Sequence, residues 1–300
     1  MSTPFEIESF EEYLLTVRNE LPEGRKYFRG QTKLVSAGYE LKPSIGRYGH
    51  LQEKSFRERD ELEREVLEVF SNHLVTHVQH LPRTDWEALA IAQHHGLPTR
   101  FMDWTTNPLV ALYFAVRETK IDDDNQPMKS AVYVLISDPQ RYTDFNRKQH
   151  PAVKPVKDLA TTPATSASGY EEFGVEGLDP KEGEQALPAQ DEAIGSEDDS
   201  ENAVRPPTPS PFEITENVIY HPPHVSPRMR AQDSVLLACQ KPFEMLEERD
   251  CLEIVIRHDA HDDIRRRLDQ YGVFDRQLFP DLDGIAKWLR YRVFESKGAL

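Results

Sequence analysis

The chain has 300 residues, 38% of them hydrophobic, and a formal net charge of -16. The length suffices for one large domain or two small ones, and the acidic balance argues against electrostatic binding to nucleic acid or anionic membranes. The longest apolar run, residues 109–116, is far too short to span a bilayer, and no N-terminal apolar run resembles a signal peptide. With two cysteines, the sequence predicts a soluble protein of the reducing cytoplasm.

Two short elements open the chain. Ser9 with Glu12 three residues later is a capping-box signature, so a short amphipathic helix is expected to follow. Residues 26–31, KYFRGQ, are typical of a strand ending near its glycine. Arg29 in this strand is expected either to face a partner or to form a structural salt bridge.

Residues 52–80 form the longest predicted helix. Its predicted apolar stripe consists of Leu62, Val66, Val69, Phe70, Leu74 and Val78. His73, His77 and His80 share another face, and paired histidines at such spacing bind metal in zinc proteases. No HExxH motif accompanies them, so we interpret them as a surface or interface stripe and predict no metal site.

The stretch over residues 93–116, QHHGLPTRFMDWTTNPLVALYFAV, is where the sequence predicts the functional site. Thr84 and Glu87 form a capping box for the helix that precedes it, and Gly96 suits the left-handed end of that helix. Asn107, followed by proline, is expected to start the next helix. Polar residues therefore crowd into a loop or strand held between two helices, as is common in binding sites.

The chain changes character after a buried-type strand predicted at residues 130–136. Residues 138–213 are rich in proline and show little apolar periodicity, and residues 171–201 contain 12 acidic residues and one lysine. Such a segment buries too little apolar surface to offset its ordering entropy, so we predict a disordered acidic insertion. A protein partner of this insertion is one expected interaction.

Strand-like segments lie on both sides of the insertion, and helices with their own caps follow the later ones. We therefore predict an α+β fold, in which a mixed or antiparallel sheet is assembled from both halves of the chain and surrounded by helices. In this prediction residues 1–137 and 214–300 form one discontinuous domain.

Two motifs resemble those of the FRG domain, a family named for a Phe-Arg-Gly motif. They are YFRGQ at residues 27–31 and the long AQHHGLPTRFMDWTTNPLVALYFAV at residues 92–116. Residues 220–237 and 278–289 are also similar to family features, whereas Phe101 and Met102 stand where the family more often has two leucines. The resemblance implies the discontinuous domain but no defined reaction.

One hypothesis is a recognition module with a polar pocket for a small nucleotide- or phosphate-type ligand, since arginines and amides converging on a loop suit phosphate recognition. The candidate ligand-binding residues are Arg29, Gln31, His94, Arg100, Asp103, Trp104, Thr105, Thr106 and Arg228. Nucleic acid and membranes are not expected partners.

The alternative hypothesis is an enzyme that uses NAD and resembles ADP-ribosyltransferases. In that superfamily an early strand carries an Arg or His, a later strand end carries a Ser or Thr cluster, and a third strand begins with a Glu-centred motif. Arg29, Thr105 and the Gln232–Asp233 pair follow that order, although Gln232 replaces the expected glutamate. The catalytic candidates are Asp233, Gln232 and His95.

Two further alternatives remain open at the sequence level. A hydrolase would use His94 or His95 as general base with Asp103 as its orienting partner, but no GxSxG motif accompanies them. In a purely structural role, Arg100 and Asp103 would instead pair with each other and His94 would cap a helix end.

Overall fold

Eight strands of the described chain form one mixed sheet, and both halves of the sequence contribute strands to it. The computed structural model describes residues 5–78, 81–144, 209–223, 226–247 and 249–295. The strands are β1 (Phe5–Ile7), β2 (Tyr27–Gln31), β3 (Phe101–Thr105), β4 (Ser130–Leu135), β5 (Gln140–Arg141), β6 (Val218–Tyr220), β7 (Ser234–Ala238) and β8 (Cys251–Ile256).

The strand order is β1-β8-β4-β2-β3-β7-β6-β5, so β8 of the C-terminal half lies between β1 and β4, and the C-terminal pair β7 and β6 lies between β3 and β5. The pairs β1–β8 and β5–β6 are parallel, and all other neighbours are antiparallel. The predicted α+β fold with a sheet built from both halves is confirmed.

The described helices gather around this sheet. They are α1 (Phe10–Asn19), α2 (Gly49–Gln52), α3 (Phe56–Leu74), α4 (Asp85–His94), α5 (Pro108–Val116), α6 (Pro227–Ala231), α7 (His261–Gln270), α8 (Asp275–Leu278) and α9 (Leu282–Leu289). Short 3-10 turns occupy Val35–Ala37, Ile45–Arg47 and His258–Ala260, and a π-helical turn, Arg290–Glu295, follows α9. None of the described helices is long and apolar enough to cross a membrane.

Alternating side chains of the strands give the sheet two buried faces. Phe28, Val132 and Ile254 lie on the face covered by α1, α5 and α7, and α4 packs on the same face further along, against Phe101. The opposite face carries Trp104 with other apolar side chains, and the segment around Leu41 covers it. β4 is buried along its whole length, whereas the two central strands are buried except at residues 29–31 of β2 and at Asp103 of β3.

Local capping signals correctly located the starts of three of the nine helices named above. The side chains of Ser9, Thr84 and Asn107 accept hydrogen bonds from the first turns of α1, α4 and α5, as predicted. Gly96 has a φ of +86° just past α4, and Asp281 caps α9 through the amide of Gly284. Each of these caps involves residues only a few positions apart in the chain, so the sequence alone predicts it.

The prediction of one long helix over residues 52–80 was wrong in extent and only partly right in its buried face, where Phe70 and Leu74 pack inward as predicted. Ser55 and Glu58 form a capping box that begins α3 anew after α2 ends, and α3 ends at Leu74. Val69, predicted in the core stripe, is 61% exposed. The face turned inward instead carries Glu63, a charged residue that the apolar pattern could not place there.

The described residues belong to one compact unit, which comprises residues 1–149 and 208–300. Of the acidic insertion predicted over residues 138–213, residues 145–208 lie outside the described chain. The two ends of the predicted insertion belong to the described chain, where β5 joins the sheet and Phe212 is buried beside α4. The ordered unit therefore extends into the predicted insertion from both sides.

Candidate functional site

The sheet opens between its two central strands, β2 and β3. β2 is fully paired with β4, and β3 is fully paired with β7. Between themselves, these two described five-residue strands share a single paired position, Phe28 opposite Thr105. Beyond that pair the strands diverge and border a cleft with a volume of about 240 Å³.

Helix α5 lies close against β2 at Gly30. A β-carbon at this position would lie 1.8 Å from the carbonyl oxygen of Ala111, so a larger residue cannot fit without displacing the helix. The close approach brings Val110 and Phe114 of α5 to the wall of the cleft. The glycine of the Phe-Arg-Gly motif is thus explained by backbone packing.

Arg29 spans the opening between the two strands. Its Nη1 donates to the backbone carbonyl of Asp103 in β3, and its Nε donates to the hydroxyl of Tyr39 at 3.2 Å. Burial lowers the pKa of Arg29, but Tyr39 and Asp103 outweigh that effect and the net shift is upward, so the guanidinium stays charged. Arg29 therefore ties β2 to β3 and has fewer donors left for a ligand.

A carboxylate in the cleft, that of Asp103, is held by the last turn of α4. Gln93 Nε2 donates to Asp103 Oδ2 at 2.9 Å, and Thr99 Oγ1 donates to Gln93 Oε1 at 2.8 Å. Because the amide acts as donor on one side and acceptor on the other, its orientation is fixed. The second carboxylate oxygen of Asp103 accepts no hydrogen bond from a described residue, so it is available to a ligand.

Two nitrogen-bearing side chains reach the cleft from different helices, His94 from α4 and Arg228 from α6. Burial lowers the pKa of His94, and the nearby charges of His95 and Arg228 lower it further, whereas Asp103 opposes them. The imidazole is therefore predominantly neutral at pH 7. Arg228 stacks on Phe279, with its Cζ 4.6 Å from the ring centre. Neither side chain hydrogen-bonds to another described residue.

The residues predicted to form the third transferase motif divide between two sites. Gln232 lines the cleft, but its Nε2 donates to the carbonyl of Leu278 at 3.0 Å. Asp233, at a φ of +45°, accepts a hydrogen bond from Asn107 Nδ2 at 3.2 Å and lines a neighbouring groove instead. Asp103 therefore supplies the carboxylate of the cleft, and Asp233 lies in the neighbouring groove.

Arg100 lies apart from the cleft in a buried ion pair. Its guanidinium is 1% exposed and donates to Glu63 Oε2 from Nε at 3.0 Å and from Nη2 at 2.8 Å. Asp60 and the carbonyl of Pro211 accept its remaining donors, and Phe212 stacks on it. The predicted internal pairing with Asp103 is replaced by this cluster, so Arg100 joins α3 to β3 and offers nothing to a ligand.

The structure brings together eight of the predicted site residues. Those lining the cleft are Arg29, Gln31, His94, Asp103, Trp104, Thr105, Arg228 and Gln232. The predicted residues outside its lining are His95, Arg100, Thr106 and Asp233, of which His95 is exposed just past α4. The site prediction missed Gln93, although it opens the central motif, Ser234, although it follows the Gln232–Asp233 pair, and Met229, which no sequence signal marked.

Within the described ranges, no group of three or more His, Cys, Asp and Glu residues is arranged to hold a metal ion. His73 and His77 are both exposed, at the end of α3 and in the turn after it, whereas His80 lies outside the described residues.

Residues 24–124 match the family model described as the FRG domain. The match covers β2, with the Phe-Arg-Gly motif, and continues through α5, so it includes both strands at the opening. An FRG domain is therefore present in this chain. Searches among curated proteins and among solved structures found no match.

Replacing Arg100 by methionine is expected to lower the free energy of unfolding by roughly 3–5 kcal/mol, because Glu63 would be left buried without its partner. Arg64→Met is the matched control, since Arg64 also stacks on Phe212 but its ion pair is exposed. Urea unfolding followed by circular dichroism measures both. Equal losses in the two variants would contradict the structural role of Arg100.

Proposed function

We propose that the cleft binds a small ligand with a phosphate-type group, such as a nucleotide, with the FRG and HHGLPTRFMDWTTNP motifs forming its frame. The observation that carries the proposal is the convergence of His94 and Arg228 on one cleft without hydrogen bonds to other described residues. A guanidinium and an imidazole in this situation suit an anion, because an ionised acceptor strengthens both hydrogen bonds.

The rest of the lining supports a nucleotide in preference to a bare anion. Val110, Phe114 and Met229 supply an apolar wall on which a base or another flat ring can pack. Asp103, oriented by Gln93, supplies an acceptor for a ribose hydroxyl or a base amino group. Ligand pockets commonly combine such an apolar lining with a few fixed polar groups.

The anion contact is tested by Arg228→Gln, with AMP as the probe in isothermal titration calorimetry. Loss of one charge-assisted contact is expected to weaken AMP binding about tenfold. Arg230→Gln is the control, because Arg230 is an exposed arginine on the same helix that does not line the cleft. Equal affinity of the Arg228 variant and wild type, or equal loss in both variants, would overturn the proposal.

An NAD-consuming activity is the second candidate, and the carboxylate of Asp103 in the cleft favours it. Cleavage of the bond between the nicotinamide nitrogen and ribose C1′ releases nicotinamide, and water or another nucleophile forms the new bond to C1′. The positive charge that develops on the ribose is stabilised by a nearby carboxylate. In this candidate Asp103 performs that role, while Arg228 and His94 hold the pyrophosphate.

Nicotinamide release from NAD, followed by mass spectrometry, tests the second candidate. Wild-type release is expected to fall by at least about 100-fold in Asp103→Asn, since removal of one stabilising group in a transition state commonly costs that much. Asp233→Asn is the matched control and is expected to retain activity, because Asp233 does not line the cleft. Loss in the Asp233 variant alone would reverse the assignment, and absence of wild-type release with either water or added protein acceptors would reject the activity.

A further inference from the structure

A basic groove runs beside the cleft, where the end of α1 and the following loop meet the start of β7. Its volume is about 690 Å³. Three cations line it: Arg18 from α1, and Arg25 and Lys26 from the loop before β2. We refer to these three residues and the surface between them as the basic groove. No function described above uses it.

The basic groove and the cleft adjoin each other. Phe28 and Ser234 line both, one from β2 and one from β7. Phe28 is also the residue paired with Thr105 at the point where the two central strands begin to diverge. A ligand that occupies the cleft can therefore continue past this rim into the basic groove.

The cations of the basic groove are unusual for this chain, in which 52 acidic residues face 36 basic ones. None of Arg18, Arg25 and Lys26 forms an ion pair with a described carboxylate, and Lys26 donates instead to the backbone carbonyl of Glu23 at 3.1 Å. The lining also contains two carboxylates, those of Glu23 and Asp233, so the three cations leave it with a formal charge of +1 (3 - 2).

We propose that the basic groove binds a second anionic group of the ligand held in the cleft, so that the whole site takes a nucleotide with a second phosphate in preference to a mononucleotide. This inference rests on the proposed function of the cleft. The cleft alone, at about 240 Å³, is smaller than the ~300–1,000 Å³ typical of ligand pockets, whereas the two together fall within that range.

The lining of the basic groove favours a phosphate over a nucleic-acid strand. Base stacking on exposed aromatic side chains is the usual means of holding single strands. Phe28 is 4% exposed, so His221 is the one exposed aromatic ring among the described lining residues, and Val17, Leu21 and Pro22 supply the apolar floor. Two guanidinium groups and one ammonium group around a small apolar floor suit the oxygens of a phosphate.

Calorimetric titration with AMP, ADP and adenosine 3′,5′-bisphosphate tests the proposal. The double variant Arg18→Gln, Arg25→Gln removes two exposed cations of the groove whose side chains form no hydrogen bond or ion pair with a described residue. It is expected to weaken binding of at least one two-phosphate nucleotide about tenfold and to change AMP affinity less than about twofold. Lys33→Gln, Lys54→Gln is the charge-matched control, because both lysines are exposed and outside the two linings.

Each outcome separates this inference from the proposed function. If AMP binds through Arg228 but neither second phosphate adds affinity, or if the groove variant and the control lose affinity equally, the basic groove is not a phosphate site and the cleft proposal stands. If no nucleotide binds the folded wild type, both proposals fail. A selective loss of two-phosphate binding in the groove variant establishes the second subsite.

Discussion

The single paired position between β2 and β3 is the constraint on which the site depends. Continuous pairing there would close the sheet and remove the cleft. Two contacts lie at this opening: α5 packs against Gly30 of β2, and the Arg29 side chain joins the two strands through the Asp103 carbonyl. Each residue of the Phe-Arg-Gly motif thus has a structural role, since Phe28 forms the last pair before the strands separate.

Much of the fold could be predicted because its signals are local. Helix caps such as Ser9 and Asn107, and the left-handed Gly96, act within a few residues, so the sequence alone predicts them. The face of α3 was not predictable in this way. Glu63 turns inward because Arg100, distant in sequence, neutralises it, and such pairing carries no local signal.

The candidate site likewise has features that local sequence predicts and features that depend on contacts between distant residues. The sequence located the central motif, which holds His94 and Asp103, and both line the cleft. It could not assign Asp233, because facing the cleft or the neighbouring groove depends on how β7 meets β3. Nor could it identify Gln93 as the residue that orients the carboxylate, since that role exists only after α4 has packed beside β3.

Amide chemical-shift mapping of the isotopically labelled protein during titration with AMP tests the central claim most directly. Binding at the opening predicts the largest shifts at Gly30, Gln31, His94 and Met229, which come from three different elements around the cleft, β2, α4 and α6. Shifts confined to the depression formed by Tyr113 and Trp288, with the cleft amides unchanged, would contradict the account.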